Sequence, residues 1–167
     1  MNSIITSHII RFIVLVLFQV IVFNHINFLG YINPYIYIIF VLFFPIKSNR
    51  LLFIFLSFLI GLSVDMFSDS GGVHAAASVV IGYARPVFLK STFGTIYEYN
   101  NVKFDDVDFG SKLVYVALLT ASHHLVLFTL EIFDISRILI ILQNTFFSGI
   151  FTILLITLIS IIFSRKT

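Results

Sequence analysis

The stretch 51-LLFIFLSFLIGLSVDMFSDSGGVHAAASVVIGYARPVFL-89 decides the architecture. It holds two apolar runs, 51–67 and 73–89, on either side of the polar turn Ser68-Asp69-Ser70-Gly71-Gly72. Each run reaches the lower end of the 17–25 residues that carry a helix across a bilayer. The runs are continuous rather than alternating, which favours helix over barrel strand. In lipid every backbone polar group needs an internal partner, so the two runs predict a tight pair of spanning helices. Inside them the only formal charges are Asp65 and Arg85.

Working outward, the same pattern continues. Apolar segments at 3–23, 30–46, 113–133 and 138–163 bring the predicted number of spans to six, with a polar stretch at 90–112 between the fourth and fifth. The first is read as a span rather than a cleaved leader, because no small-x-small site follows it. Segment 30–46 is interrupted by Pro34. It either starts before the proline or is a broken element buried by its neighbours. The 167 residues are 59% apolar and 11% charged, with mean hydropathy +1.09. A soluble chain of this size could not hide so much apolar surface. The composition therefore predicts one all-α polytopic membrane domain and excludes a soluble enzyme or a nucleic-acid-binding module. Cysteine is absent, which removes disulfides and thiolate chemistry.

The few charges predict orientation. In a six-span arrangement Arg11, Lys47, Arg50, Arg85, Lys90, Lys103, Lys112, Arg165 and Lys166 fall on one side and only Arg137 on the other. Basic residues mark the cytoplasmic side, so both termini are expected there. The net charge of +2 then reports topology rather than an anionic partner.

Helices in lipid associate through small residues and interhelical hydrogen bonds. Ser57, Gly61 and Asp65 recur every four residues in the third segment. Ala75, Ser78, Gly82 and Arg85 form a stripe in the fourth, Ala117, Thr120, Ala121 and His124 in the fifth, and Thr145, Ser148, Gly149 and Thr152 in the sixth. These stripes are expected to face inward, with Gln19 and His124 as further polar positions of the bundle interior. Bundle packing accounts for most of them.

Asp65 is the most unusual residue. A carboxylate at a helix C-terminus opposes the macrodipole, and within a membrane it needs a partner or water. Arg85 lies toward the opposite end of its segment, so the backbone amides of Ser70-Gly71-Gly72, and His74, are the expected partners. Glycine at 71 and 72 permits positive φ and an inward-facing run of N–H groups. The principal expectation is that Asp65 caps this turn and locks the two segments together. His123 and His124 are adjacent and about 100° apart on a helix, so they do not chelate from one face. No metal site, cofactor or catalytic residue is expected: there is no HExxH, GxSxG or phosphate loop. In the 90–112 stretch, Asp105, Asp106 and Asp108 beside Lys103 form either a solvated connector or an acidic docking patch.

The residues 61–75 resemble the hallmark of the rod-shape-determining protein MreD family, which reads Gly-Leu-x-x-Asp followed by Gly-x-His-Ala across its third and fourth helices. Gly61, Leu62 and Asp65 match the first half, and Gly72, His74 and Ala75 the second. Gln19, Pro34 and the basic turn at 47–50 also sit where that family has them, and the Phe/Ile/Asn-rich style resembles its Bacteroidota branch. Tyr35 departs from the family, which often has an acidic residue there. The resemblance implies a non-enzymatic, multi-pass inner-membrane subunit of the elongasome. It would bind MreC and, directly or through it, connect to MreB, RodA and the transpeptidase of lateral peptidoglycan synthesis. It also implies a six-helix bundle similar to the S-component of energy-coupling-factor transporters, and Gly61, Asp65, Gly71, Gly72, His74 and Ala75 as the structural or partner-binding motif. The alternative is a small-molecule-binding transporter subunit of S-component type. An intramembrane hydrolase is a distant third, for want of a nucleophile.

Overall fold

A computed structural model describes residues 2–30, 32–98, 104 and 107–163. Most of these residues are helical, with no β-strand among them and one isolated bridge between Phe28 and Ile32. Five long helices form: α1 (Asn2–Ile21), α3 (Arg50–Ser68), α4 (Val73–Glu98), α5 (Phe109–Ile132) and α6 (Ile138–Phe163). Between α1 and α3 the chain makes a 3₁₀ turn, Ile36–Ile38, that runs into a single α-turn, α2 (Ile39–Leu42).

Four stretches are long and apolar enough to cross a membrane: Thr6–His25, Arg50–Ser68, Phe109–Ile132 and Ile135–Phe163. α4 has the length, but Arg85, Lys90 and Glu98 make it more polar, and it is not one of the four. It also runs past the expected end at Leu89, kinking at Gly94, where φ is +50°. Segment 30–46 is the broken, buried element rather than a continuous helix. Seven consecutive residues, Ile36–Leu42, carry its helical turns, and all seven side chains are buried.

α3 packs on α4, α4 on α5 and α5 on α6, in chain order, while α1 rests on α3 and the short turns. The 36–42 segment occupies the core, with Tyr37, Ile38, Val41 and Leu42 at zero exposure. Around it pack Ile60, Val64, Ile81, Leu119, Leu127 and Ile156, whereas other apolar side chains point outward: Phe18, Phe55, Tyr83, Leu139 and Phe146 are each more than half exposed. Such an apolar exterior is stable only in lipid or against a partner. The polar stripes face inward at Ser57, Gly61, Asp65, Ala75, Ser78, Gly82, Arg85, Thr120, His124, Ser148, Gly149 and Thr152. Ala121 is exposed and Ala117 and Thr145 are half-buried, so the α5 and α6 stripes are narrower than their spacing predicts.

Non-helical backbone at membrane depth has to be satisfied by side chains. Here the polar residues of the long helices serve the broken segment. Ser148 Oγ accepts from the Asn33 amide (3.4 Å), Thr152 Oγ1 from Tyr35 (3.1 Å) and Gln19 Oε1 from Tyr37 (3.3 Å). Gln19 also donates to the Pro34 carbonyl at 3.1 Å, a group that a continuous helix would have paired. At the other end Arg85 donates to the carbonyls of Leu42 and Phe44, and Tyr115 donates to Leu42 (2.9 Å). The buried guanidinium is thus held by helix C-terminal carbonyls, by the Tyr115 hydroxyl, which accepts from Nε at 2.9 Å, and by the face of Phe53, 4.9 Å away.

Candidate functional site

The site is built where α3 ends and α4 begins. α3 stops at Asp69, which is left-handed (φ +51°) and returns its N–H to the Asp65 carbonyl. Gly71 (φ +67°) and Gly72 (φ +94°) complete the reversal in a backbone region that L side chains rarely adopt. The turn delivers the first amides of α4 to the Asp65 carboxylate. Oδ1 accepts from His74 N (3.0 Å), from the Ser70 hydroxyl (2.6 Å) and from His74 Nδ1 (2.9 Å). Oδ2 accepts from Ala75 N at 2.8 Å. An ionised carboxylate only accepts, so Nδ1 is the protonated nitrogen of His74.

The puzzle of a negative charge at a helix C-terminus is resolved by the neighbouring helix. Asp65 caps the N-terminus of α4, where free amides and the macrodipole favour an anion. The amides used are those of His74 and Ala75, not the expected Ser70-Gly71-Gly72 set. The glycines supply the turn and the first helical turn supplies the donors. Ser70 contributes its hydroxyl instead of its amide.

Close helix contact makes this reach possible. A Cβ on Gly61 would lie 2.4 Å from the His74 carbonyl oxygen and 2.6 Å from Ala75 Cα. One turn of small residues further on, a Cβ on Gly82 would lie 2.9 Å from Ser57 Oγ. The structure therefore brings Gly61, Asp65, Gly71, Gly72, His74 and Ala75 into one clasp. Gln19, Arg85 and His124 lie elsewhere, on the broken segment and its supports.

From the clasp a layer of rings runs inward. The His74 ring lies 5.5 Å from that of Tyr35 and 5.9 Å from that of Tyr37. The Tyr37 hydroxyl meets His123 Nε2 at 2.7 Å. His124 Nδ1 donates to the Thr120 carbonyl (2.8 Å), and its Nε2 lies 3.1 Å from Thr152 Oγ1, whose hydroxyl donates to the Ser148 carbonyl at 2.7 Å. Both histidines are buried and point to different partners, and no group of three metal-ligating side chains occurs among the described residues. Sequence reasoning missed the partnership of His123 with Tyr37 and the part played by Tyr115. A tyrosine within an apolar run gives no hint of which carbonyl its hydroxyl will meet.

In chemical terms the carboxylate is saturated by four donors of its own chain, and its side chain is 5% exposed. It ties the end of α3 to the start of α4. Asp105, Asp106 and Lys103 of the expected acidic patch lie outside the described residues; Asp108 caps α5 by accepting from the Ser111 amide at 2.8 Å. Comparison with protein-family models, with curated proteins and with solved structures finds no match to this chain.

Proposed function

We propose that this protein is a non-enzymatic assembly subunit of the bacterial inner membrane, of MreD type. In this reading it binds MreC within the cell-elongation complex and helps to organise lateral peptidoglycan synthesis. The bundle has six crossings, counting the broken segment and α4, and both termini are cytoplasmic. The observation that carries the reading is the saturated Asp65 clasp, formed by the residues that resemble the family's motif: Gly61, Asp65, Gly72, His74 and Ala75. A carboxylate occupied by its own chain fits a scaffold whose outer shape is the functional product, and fits a catalyst poorly. The buried 36–42 segment supports the same reading over an S-component-like solute carrier, because it fills the core that a solute would need.

The mechanism is helix-in-groove association. The clasp fixes the angle between α3 and α4, and that angle shapes the apolar exterior on which a partner's spanning helix packs. The test is co-purification of MreC with wild-type, Gly61→Leu and Asp65→Asn protein from native membranes, alongside cell shape. Loss of both with the variants is expected. Retention of partner and rod shape in variants shown to be structurally altered would overturn the assignment.

A further inference from the structure

The last helix, α6, turns one line of side chains inward and another outward. Ile141, Ser148, Thr152 and Ile156 are buried, and at about 100° per residue they lie within about 40° of one line along the helix. Gln143 is exposed and lies on the opposite side of α6 from that line. Ile150 (43% exposed) and Leu154 (56%) fall within about 20° of Gln143, and Phe146 (61%) flanks them. An amide therefore stands on the outward face of the most apolar of the four spans. Other polar side chains on the outer flanks of the long helices are self-contained. The hydroxyls of Ser63, Ser122 and Thr129 each donate to the carbonyl four residues back, at 2.8, 2.8 and 2.6 Å. The Gln143 amide meets no hydrogen-bonding partner among the described residues.

We infer that this outward line of α6 is a self-association surface, occupied by α6 of a second copy of the chain and joined through the two Gln143 amides. Apolar side chains gain little by exchanging lipid for a helix, so the polar group decides what the surface binds. At 1.5 Å per residue α6 is about 39 Å long, against about 30 Å of hydrocarbon. Centred on that layer, the helix carries Gln143 inside the edge nearer Ile138, where water is scarce. All copies share one orientation, because the same charges direct each insertion. A two-fold axis along the membrane normal then brings equal depths together and sets Gln143 opposite Gln143. A carboxamide is self-complementary: each carbonyl accepts from the NH₂ group of the other copy. A partner of another sequence needs a matching group at that depth, and a second copy has one by construction. A single polar residue in an apolar seam also fixes register and the number of helices. Phe146, Ile150 and Leu154 supply the packing on either side of the bond. The inference rests on the chain spanning a membrane and is independent of the family proposal.

The chain has no cysteine, so single introduced cysteines report proximity without background. Purified full-length protein in liposomes meets only its own copies, which separates this test from that of MreC binding. Oxidation of Ile150→Cys or Leu154→Cys is expected to give a disulfide-linked dimer as the main product. Phe55→Cys, on the outward face of α3, is expected to stay monomeric. Gln143→Leu keeps the helix and its apolar surface and removes only the amide. It is expected to weaken association about 3- to 30-fold, the worth of interhelical side-chain hydrogen bonding in lipid, read as energy transfer between labelled copies against the protein-to-lipid ratio. Equal cross-linking from positions 55 and 150, or undiminished association of Gln143→Leu, would overturn the inference. So would a photo-crosslinker at position 146 that captures a different protein instead of a second copy in native membranes.

Discussion

Asp65 illustrates how much a single residue's environment decides. Its carboxylate gathers two amides, a hydroxyl and an imidazole across the α3–α4 turn. Asp65→Asn replaces an acceptor oxygen by an NH₂ group that faces other donors. Removing one partner of a buried hydrogen bond costs about 1–3 kcal/mol. Thermal unfolding in detergent, followed by circular dichroism, is expected to show a loss of that size, and an unchanged midpoint would contradict the clasp. At the other pole, Arg85→Leu strips the donors from the Phe44 carbonyl, while Leu42 keeps its bond from Tyr115. A loss of about 1–3 kcal/mol is again expected. Arg85→Lys recovers only part of it, because a lysine cannot reproduce the fork. Asp108 lies outside the spans. Its bonds from Ser111 hold its carboxyl below the usual carboxylate range. A folded-state value below the unfolded one means that its contribution is present above the unfolded pKa and fades as pH falls through the folded value. Asp108→Ala should remove that portion of the acid sensitivity, as read from unfolding midpoints across pH 2–6.

At the scale of elements, two buried glycines make a controlled comparison. Gly61 has the α4 backbone within 2.6 Å of where a Cβ would sit, whereas Gly149 has nothing within 4 Å. Gly61→Ala therefore forces α3 and α4 apart and is expected to destabilise by about 1–3 kcal/mol. Gly149→Ala meets no obstruction and gains up to about 1 kcal/mol of helix propensity. Opposite shifts of the two unfolding midpoints are the predicted outcome, and equal shifts would contradict the close α3–α4 approach. The helices themselves were legible in the sequence because long apolar runs in a charge-poor chain leave few alternatives. Gly61 and Asp65 were legible because they share a face at a spacing of four. The α4 extension to Glu98 was not, since a helix that leaves an apolar run loses its hydropathy marker. His74 was expected beside Asp65 and is there, but the amides expected from Ser70–Gly72 come from His74 and Ala75 instead, because glycine signals a turn without revealing where the next helix exposes its amides. The partners of Gln19, Arg85, Ser148 and Thr152 were hidden for a deeper reason. They satisfy backbone atoms of a distant broken segment, and a backbone carbonyl carries no sequence label.

Across the whole molecule, the structure has two differently charged ends and an apolar exterior. One end carries the clasp and Asp69, and the α5–α6 connection, with Glu131 and the exposed pair Asp134–Arg137, returns to that end. That surface pair contributes little by itself. The other end carries Arg11 and Lys112, and the chain there runs from Pro45 and Ile46 into the basic Lys47–Arg50 turn. This polarity is what a fixed orientation in a bilayer requires. Between the ends, the interior is filled by the 36–42 segment, and the outward faces of α1, α3 and α6 are apolar and exposed, as contact with lipid requires. The central claim is that one of these faces serves assembly. Its most direct test is photo-crosslinking from exposed positions Phe55 and Leu139 in native membranes, with the captured proteins identified. A cross-link to the single-span MreC, lost in Gly61→Leu protein that still inserts, is the predicted result. Capture of an ATPase-driven transport module would contradict the account, as would MreC capture that is indifferent to the clasp.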